Sequence, residues 1–177
     1  MKKFCITFLL FLILVVSVIC LNYPKETNEY LRIHVRANSN LEVDQNVKYK
    51  VKDAVVEFLT PYIAECDTKQ KAQQMLEENK EKLTQVANAQ LKKEGFSYSA
   101  RVEIKQEIFP TRVYKNLTLD SGIYDAIILY LGEGTGDNWW CVVYPPLCFT
   151  GEGQGYVIKS KIAEIIDNFF MKNIKEE

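Results

Sequence analysis

The sequence predicts an α+β domain: a largely antiparallel sheet with helices packed on one face, preceded by an N-terminal signal or anchor helix. Three observations carry this reading. Apolar residues switch between a two-residue and a helical repeat, in the order β-α-α-β-β-β-β-α. The later strands are separated by Gly, Pro, Asp and Ser turns rather than by helices. An uncharged apolar run, Phe4 to Leu21, follows Lys2 and Lys3 at the start of the chain.

That run, FCITFLLFLILVVSVICL, is long for a cleaved signal and just long enough to span a bilayer. It lacks a small-x-small cleavage site: Ser17 is followed by Val18, Ile19 and Cys20. Residues 1–21 are therefore read as a signal peptide or a membrane anchor, with the membrane as a partner of this segment. Everything from Asn22 onward is expected outside the cytoplasm, secreted or anchored. Residues 22–30, NYPKETNEY, read as a polar linker, and residues 31–177 as a single extracytoplasmic domain.

The domain opens with LRIHVR, where Leu31, Ile33 and Val35 alternate with Arg32, His34 and Arg36. This is a strand with one apolar and one cationic face. Ser39 with Glu42 reads as the capping box of a helix that Pro61 closes. A second helix starts near Asp67 or Thr68, with Gln70 as its capping-box partner, and stops at Gly95. Its buried stripe is Met75, Leu76, Leu83, Val86, Ala87 and Leu91. From Phe96 the repeat returns to two, placing Ala100, Val102, Ile104 and Ile108 on one side. Asp120-Ser121-Gly122 is a turn. Ile123–Leu131 is apolar on both faces and reads as a central strand. The loop GEGTGDN leads to the strand WWCVVY, which Pro145-Pro146 ends. After a second glycine-rich loop, FTGEGQG, comes an amphipathic helix buried through Val157, Ile158, Ile162, Ile165, Ile166, Phe169 and Phe170.

Composition excludes some functions. With 22 Lys plus Arg against 23 Asp plus Glu, the net charge of -1 supplies no field for a nucleic-acid backbone. The chain has 1 histidine, so zinc-hydrolase ligand spacing is absent. GEGTGDN lacks the lysine and hydroxyl of a phosphate loop, and no EF-hand spacing surrounds Glu133, Asp137 or Glu152. No cofactor pattern is present. Asn116 begins a glycosylation triplet, NLT. Of 5 cysteines, Cys5 and Cys20 belong to the apolar run. Outside the cytoplasm disulfides persist, and Cys141 and Cys148 are the natural pair, being near in sequence across a chain reversal. Cys66 is left as a buried thiol at a helix end. Trp139 and Trp140 are adjacent on a strand, so they face opposite ways. An exposed aromatic beside a rigid loop is a typical interaction anchor.

Three blocks together carry a resemblance: LRIHVRANSNLEVDQNVKYKVKDAV, FPTRVYKNLTLDSGIYDAI and LGEGTGDNWWCVVYPPLCF. With the motifs His34-Val35-x-Ala37-Asn38-Ser39, Phe109-Pro110-Thr111 and the Gly-x-Gly to Cys-Phe run, they resemble the stage II sporulation protein R family of endospore-forming bacteria. The resemblance implies an exported forespore protein that reaches the space between the two membranes of the sporulating cell. There it triggers a membrane-embedded, aspartic-type protease of the mother cell to process the precursor of the mother-cell sigma factor. It implies a ligand and not an enzyme, with no catalytic residue to transfer. The expected partner patch is Trp139, Trp140 and the loop Gly132, Glu133, Gly134, Asp137 and Asn138, with Arg32, His34 and Arg36. The competing reading is an exported cysteine-dependent hydrolase acting on wall or peptide, with His34 and Cys141 or Cys148 as its dyad. A passive membrane-anchored structural protein is a third.

Overall fold

The structure, a computed structural model, describes residues 8–9, 11–15, 25–114, 117–149 and 156–174; at 25–28, 156–160 and 171–174 it describes the backbone only. Much of the predicted export segment, Cys5, Cys20, Asn116 of the glycosylation triplet and most of the second glycine-rich loop lie outside the described residues. So do the side chains of Val157 and Ile158. Residues 8–9 and 11–15 are helical and exposed. Among the described residues no helix is long and apolar enough to cross a membrane.

The chain divides into two compact units: Met1–Glu26 with Ile108–Ile123, and Thr27–Glu107 with Tyr124–Glu177. In the first, β3 (Arg112–Tyr114) and β4 (Leu117–Leu119) pair antiparallel, with Val113 opposite Thr118. The Thr111 hydroxyl of the Phe-Pro-Thr motif accepts from the Ser121 amide at 3.0 Å and ties the hairpin base. This small hairpin has too few residues for its periodicity to show in the sequence.

The second unit is built on a four-stranded sheet. It uses β1 (Lys25–Arg36), β2 (Ala100–Phe109), β5 (Gly122–Leu131) and β6 (Asn138–Tyr144), ordered β2-β5-β1-β6. Three helices accompany it: α1 (Glu42–Ile63), α2 (Lys69–Lys93) and α3 (Tyr156–Ile174). The architecture is α+β as predicted, but the sheet is mixed rather than largely antiparallel. Strands close in sequence default to hairpin pairing; the long crossover through α1 and α2 frees the first strand from that default. β1 sits inside the sheet and pairs antiparallel with the last strand, Val35 opposite Trp139 and His34 opposite Trp140. β5 is central, as its two apolar faces require, and Ala126 to Leu129 are fully buried.

Opposed residues of an antiparallel pair share a face. Leu31, Ile33 and Val35 therefore share theirs with Trp139 and Cys141, and α1 reaches this face through Lys52, whose ammonium lies 5.5 Å from the Trp139 ring centroid. α2 reaches it through Lys69, which pairs with Asp125 of β5. Along α2 the buried residues Ala72, Leu76, Asn79, Leu83, Ala87 and Leu91 recur at three- and four-residue steps, the predicted stripe with small shifts.

Several local expectations are corrected. β1 begins at Lys25, so the end of the expected linker is extended strand. Tyr30 holds it there, its ring 5.5 Å from that of Phe169 on α3. Ser39 and Glu42 form no capping box: α1 is capped at Leu41 with no side-chain bond, while Ser39 Oγ turns to Asp44. Pro61 lies inside α1, which runs on to the fully buried Ile63. Thr68 caps α2, accepting from the Lys71 amide rather than pairing with Gln70. Ile108 is 60% exposed and Phe109 is buried instead, because the alternation slips near the end of β2. Gly95 ends α2 with φ 82, the left-handed conformation expected there.

Candidate functional site

The face of the sheet opposite α1 carries an unusual set of side chains. Arg32 and His34 are fully buried on it. The Arg32 guanidinium lies 4.8 Å from the Tyr124 ring centroid. The His34 ring stacks on Trp140 with centroids 3.7 Å apart and planes 18° from parallel. His34 Nδ1 and Glu107 Oε2 are 2.8 Å apart. A carboxylate only accepts, so Nδ1 carries the proton and donates it. Arg36 Nη2 donates to the other oxygen of the same carboxylate. Burial alone would raise the Glu107 pKa. The His34 hydrogen bond and the charges of His34, Arg36 and Lys105 outweigh it and hold the group below its ordinary value.

Next to this cluster stands Tyr130. Arg101 lies over its ring at 3.8 Å, Arg36 at 5.1 Å, and Lys105 donates to its hydroxyl at 3.0 Å. The glycine loop presses on the same ring. Gly134 has φ 67, and a Cβ there would sit 2.8 Å from Tyr130 Cδ1.

The loop itself is locked to the turn after β1. Glu133 N donates to Asn38 Oδ1 (3.0 Å), and Thr135 N and Oγ1 donate to Asn38 O (3.3 and 2.9 Å). Gly136 N donates to Ala37 O (2.9 Å) and Asp137 N to Asn40 Oδ1 (2.6 Å). Gly132 N and Gly134 N donate to Ser99 O and Leu131 O. Every amide from Gly132 to Asp137 is thus spent within the chain. None of these amides is left to form an anion nest.

Asp44 anchors the other side of this clamp. It accepts from Asn38 Nδ2 (2.8 Å), Ser39 Oγ (2.6 Å) and the Tyr98 hydroxyl (2.7 Å). Burial pushes its pKa up, and the bonds from Ser39, Tyr98 and Asn38 more than reverse this, leaving it below the ordinary carboxylate value. Burial first and Asp44 second raise the Tyr98 phenol well above its ordinary value. Buried Lys48 donates to Asp137 O at 3.0 Å and to Gln45 Oε1 at 2.6 Å; burial lowers its pKa and Asp137 opposes that shift.

The predicted patch therefore divides. Arg32, His34, Arg36 and Trp140 gather on one face. Trp139 belongs to the other, against Lys52 of α1. The loop residues Gly132, Glu133, Gly134, Asp137 and Asn138 lie at one end of the sheet. Neither tryptophan stands free: both are half-buried and each has a stacking partner. The same alternation corrects the proposed dyad of His34 with Cys141, since Cys141 faces the helices opposite Ile33. Cys141 is also joined to Cys148 by a disulfide with Cα atoms 6.3 Å apart, the pairing expected from sequence. Cys66 is a free, buried thiol donating to Tyr62 O at 3.3 Å, and burial pushes its pKa up. Among the described residues no three His, Cys, Asp or Glu side chains group to hold a metal ion.

Glu107, Asp44, Tyr98 and Tyr130 were not singled out from sequence. Asp44 had a local signal, its place in the first turn after Asn38-Ser39. Glu107 and Tyr130 had none, because their partners lie on other strands.

The family model for stage II sporulation protein R matches residues 27–154. The chain belongs to that family. A Bacillus subtilis (strain 168) protein named Stage II sporulation protein R is 32% identical over 134 residues, covering 76% of this chain and 60% of that relative's length. No solved structure matches significantly. The matched span contains both halves of the clamp, Ala37–Asn40 and Gly132–Asp137. This chain's His34–Ser39 and Gly134–Cys141 segments, ninety-odd residues apart in sequence, are thus bonded to each other in the fold.

Proposed function

We propose that this chain is an exported signalling protein of sporulation. It acts by contact with a membrane-embedded, aspartic-type protease of the mother cell, which then processes the precursor of the mother-cell sigma factor. The observation that carries this reading is family membership across residues 27–154. The site is consistent with a ligand: a rigid loop and a cation-aromatic surface, with the domain's Cys141 and Cys148 held in a disulfide. Export through the N-terminal apolar segment delivers the domain to the space between the two membranes, where disulfides persist.

The test is co-expression of the chain, the protease and the pro-sigma precursor in a host that does not sporulate, with processing followed by immunoblot. Processing should require this chain. Equal processing without it refutes the reading.

A further inference from the structure

We propose that Arg36, Arg101 and Tyr130 form a docking site for a carboxylate-bearing segment of the partner protein. This rests on the signalling reading above and names the chemistry of its contact. β5 lies between β2 and β1, so Tyr130 has Arg101 and Lys105 on one side and Arg36 on the other. The ring is only 7% exposed and is pinned by Gly134, so the cations beside it stand on a rigid base. The Arg101 side chain is 54% exposed, and its Nε lies 3.5 Å from Glu103 Oε1. Its two terminal nitrogens have no acceptor among the described residues. Arg36 gives Nη2 to Glu107, its side chain is 30% exposed, and its Nη1 has no acceptor among the described residues. Two guanidinium groups with donors to spare, one on each side of a fixed ring, match a segment that presents two carboxylates. Pre-organisation lowers the ordering cost of that contact.

Charge selects the occupant. Glu103 and Glu107 are interspersed with the cations, and Glu103 is bonded to Lys105. Three cations against two carboxylates leave the patch one net positive charge, too few to hold a continuous sheet of anionic headgroups but enough for discrete carboxylates. The loop amides are all occupied, so a phosphate finds no backbone cradle here.

The experiment titrates a fluorescent Glu-rich peptide into the detergent-held full chain, reading anisotropy. A Gln-rich peptide and phosphatidylglycerol vesicles form the other arms. The Glu-rich peptide alone should bind, and Arg101→Gln should weaken it about tenfold, the loss of one charge-assisted contact. Arg101 is exposed enough that the variant should keep its circular dichroism and melting point. Binding that is unchanged in Arg101→Gln, or a preference for vesicles over the peptide, overturns the site. Arg101→Gln also enters the co-expression assay. Processing unaffected by it, yet still dependent on the chain, removes the site and leaves the signalling reading standing. Arg101-dependent peptide binding with processing that ignores the chain removes the signalling reading and leaves the site.

Discussion

Replacing Gly136 with alanine tests the clamp directly. A Cβ at this position would lie 2.2 Å from Ser39 O, 2.4 Å from Ser39 C and 2.9 Å from Ser39 Cα. All three are backbone atoms at the turn that leads into α1, so no side chain can swing aside. The loop must retreat by about 1 Å to restore van der Waals distance. That displacement stretches the bonds on both sides of the residue: Gly136 N to Ala37 O, Thr135 N and Oγ1 to Asn38 O, and Asp137 N to Asn40 Oδ1. Losing three of them at about 1 kcal/mol each costs about 3 kcal/mol. For a chain of 177 residues this lowers the melting temperature by roughly 6–12 °C. Gly95→Ala is the control. Nothing lies within 4 Å of a Cβ there, but φ is +82, so only conformational strain of about 1 kcal/mol is expected. Thermal unfolding of both variants by circular dichroism decides the matter. If Gly136→Ala melts no lower than Gly95→Ala, the loop is not clamped by the turn after β1.

Two further outcomes follow from the same structure. Glu107 is held below its ordinary pKa, so the folded state binds fewer protons there than the unfolded chain; its contribution is complete above about pH 4.3 and is lost as pH falls through its lowered value. Glu107→Gln should therefore lower the urea midpoint at pH 7 by an amount worth about 2 kcal/mol and flatten the fall between about pH 5 and 3; a variant with the wild-type acid profile refutes the His34–Glu107–Arg36 linkage. The Cys141–Cys148 disulfide closes a loop with sequence separation 7, and opening it should cost about 2.5 kcal/mol in the chain-entropy account. Peptide mapping without reductant should recover the two cysteines linked, and an unchanged urea midpoint in dithiothreitol contradicts the stabilising role.

Legibility in the sequence followed the range of the interaction. β5 and β6 were readable within a residue, because a continuous apolar run and a proline pair are local signals. The stripe of α2 was readable because helical spacing is local too. The start of α1 was misread: Ser39 and Glu42 have the right spacing for a capping box, but the Asp44 carboxylate, buried and reachable, took the hydroxyl instead. The hairpin of β3 and β4 escaped notice because three-residue strands show no periodicity. Among candidate site residues, the alternation of LRIHVR correctly set Arg32, His34 and Arg36 on one face. It could not name Glu107, which is 73 residues from His34 in sequence.

The amino-acid sequence by itself determined the α+β class (though not the mixed sheet), the disulfide pairing and the rule that Trp139 and Trp140 face opposite ways. Each rests on neighbours within a few residues, or on the two-residue period of a strand. Only the tertiary structure decided which tryptophan meets which partner: Trp139 lies against Lys52 of α1, and Trp140 on His34 of β1. It also decided that the glycine loop is bonded to the Ala37–Asn40 turn. The reason is the pairing of the first strand with the last. That pairing joins residues about a hundred positions apart, such as Val35 and Trp139, and no local stretch of sequence records it.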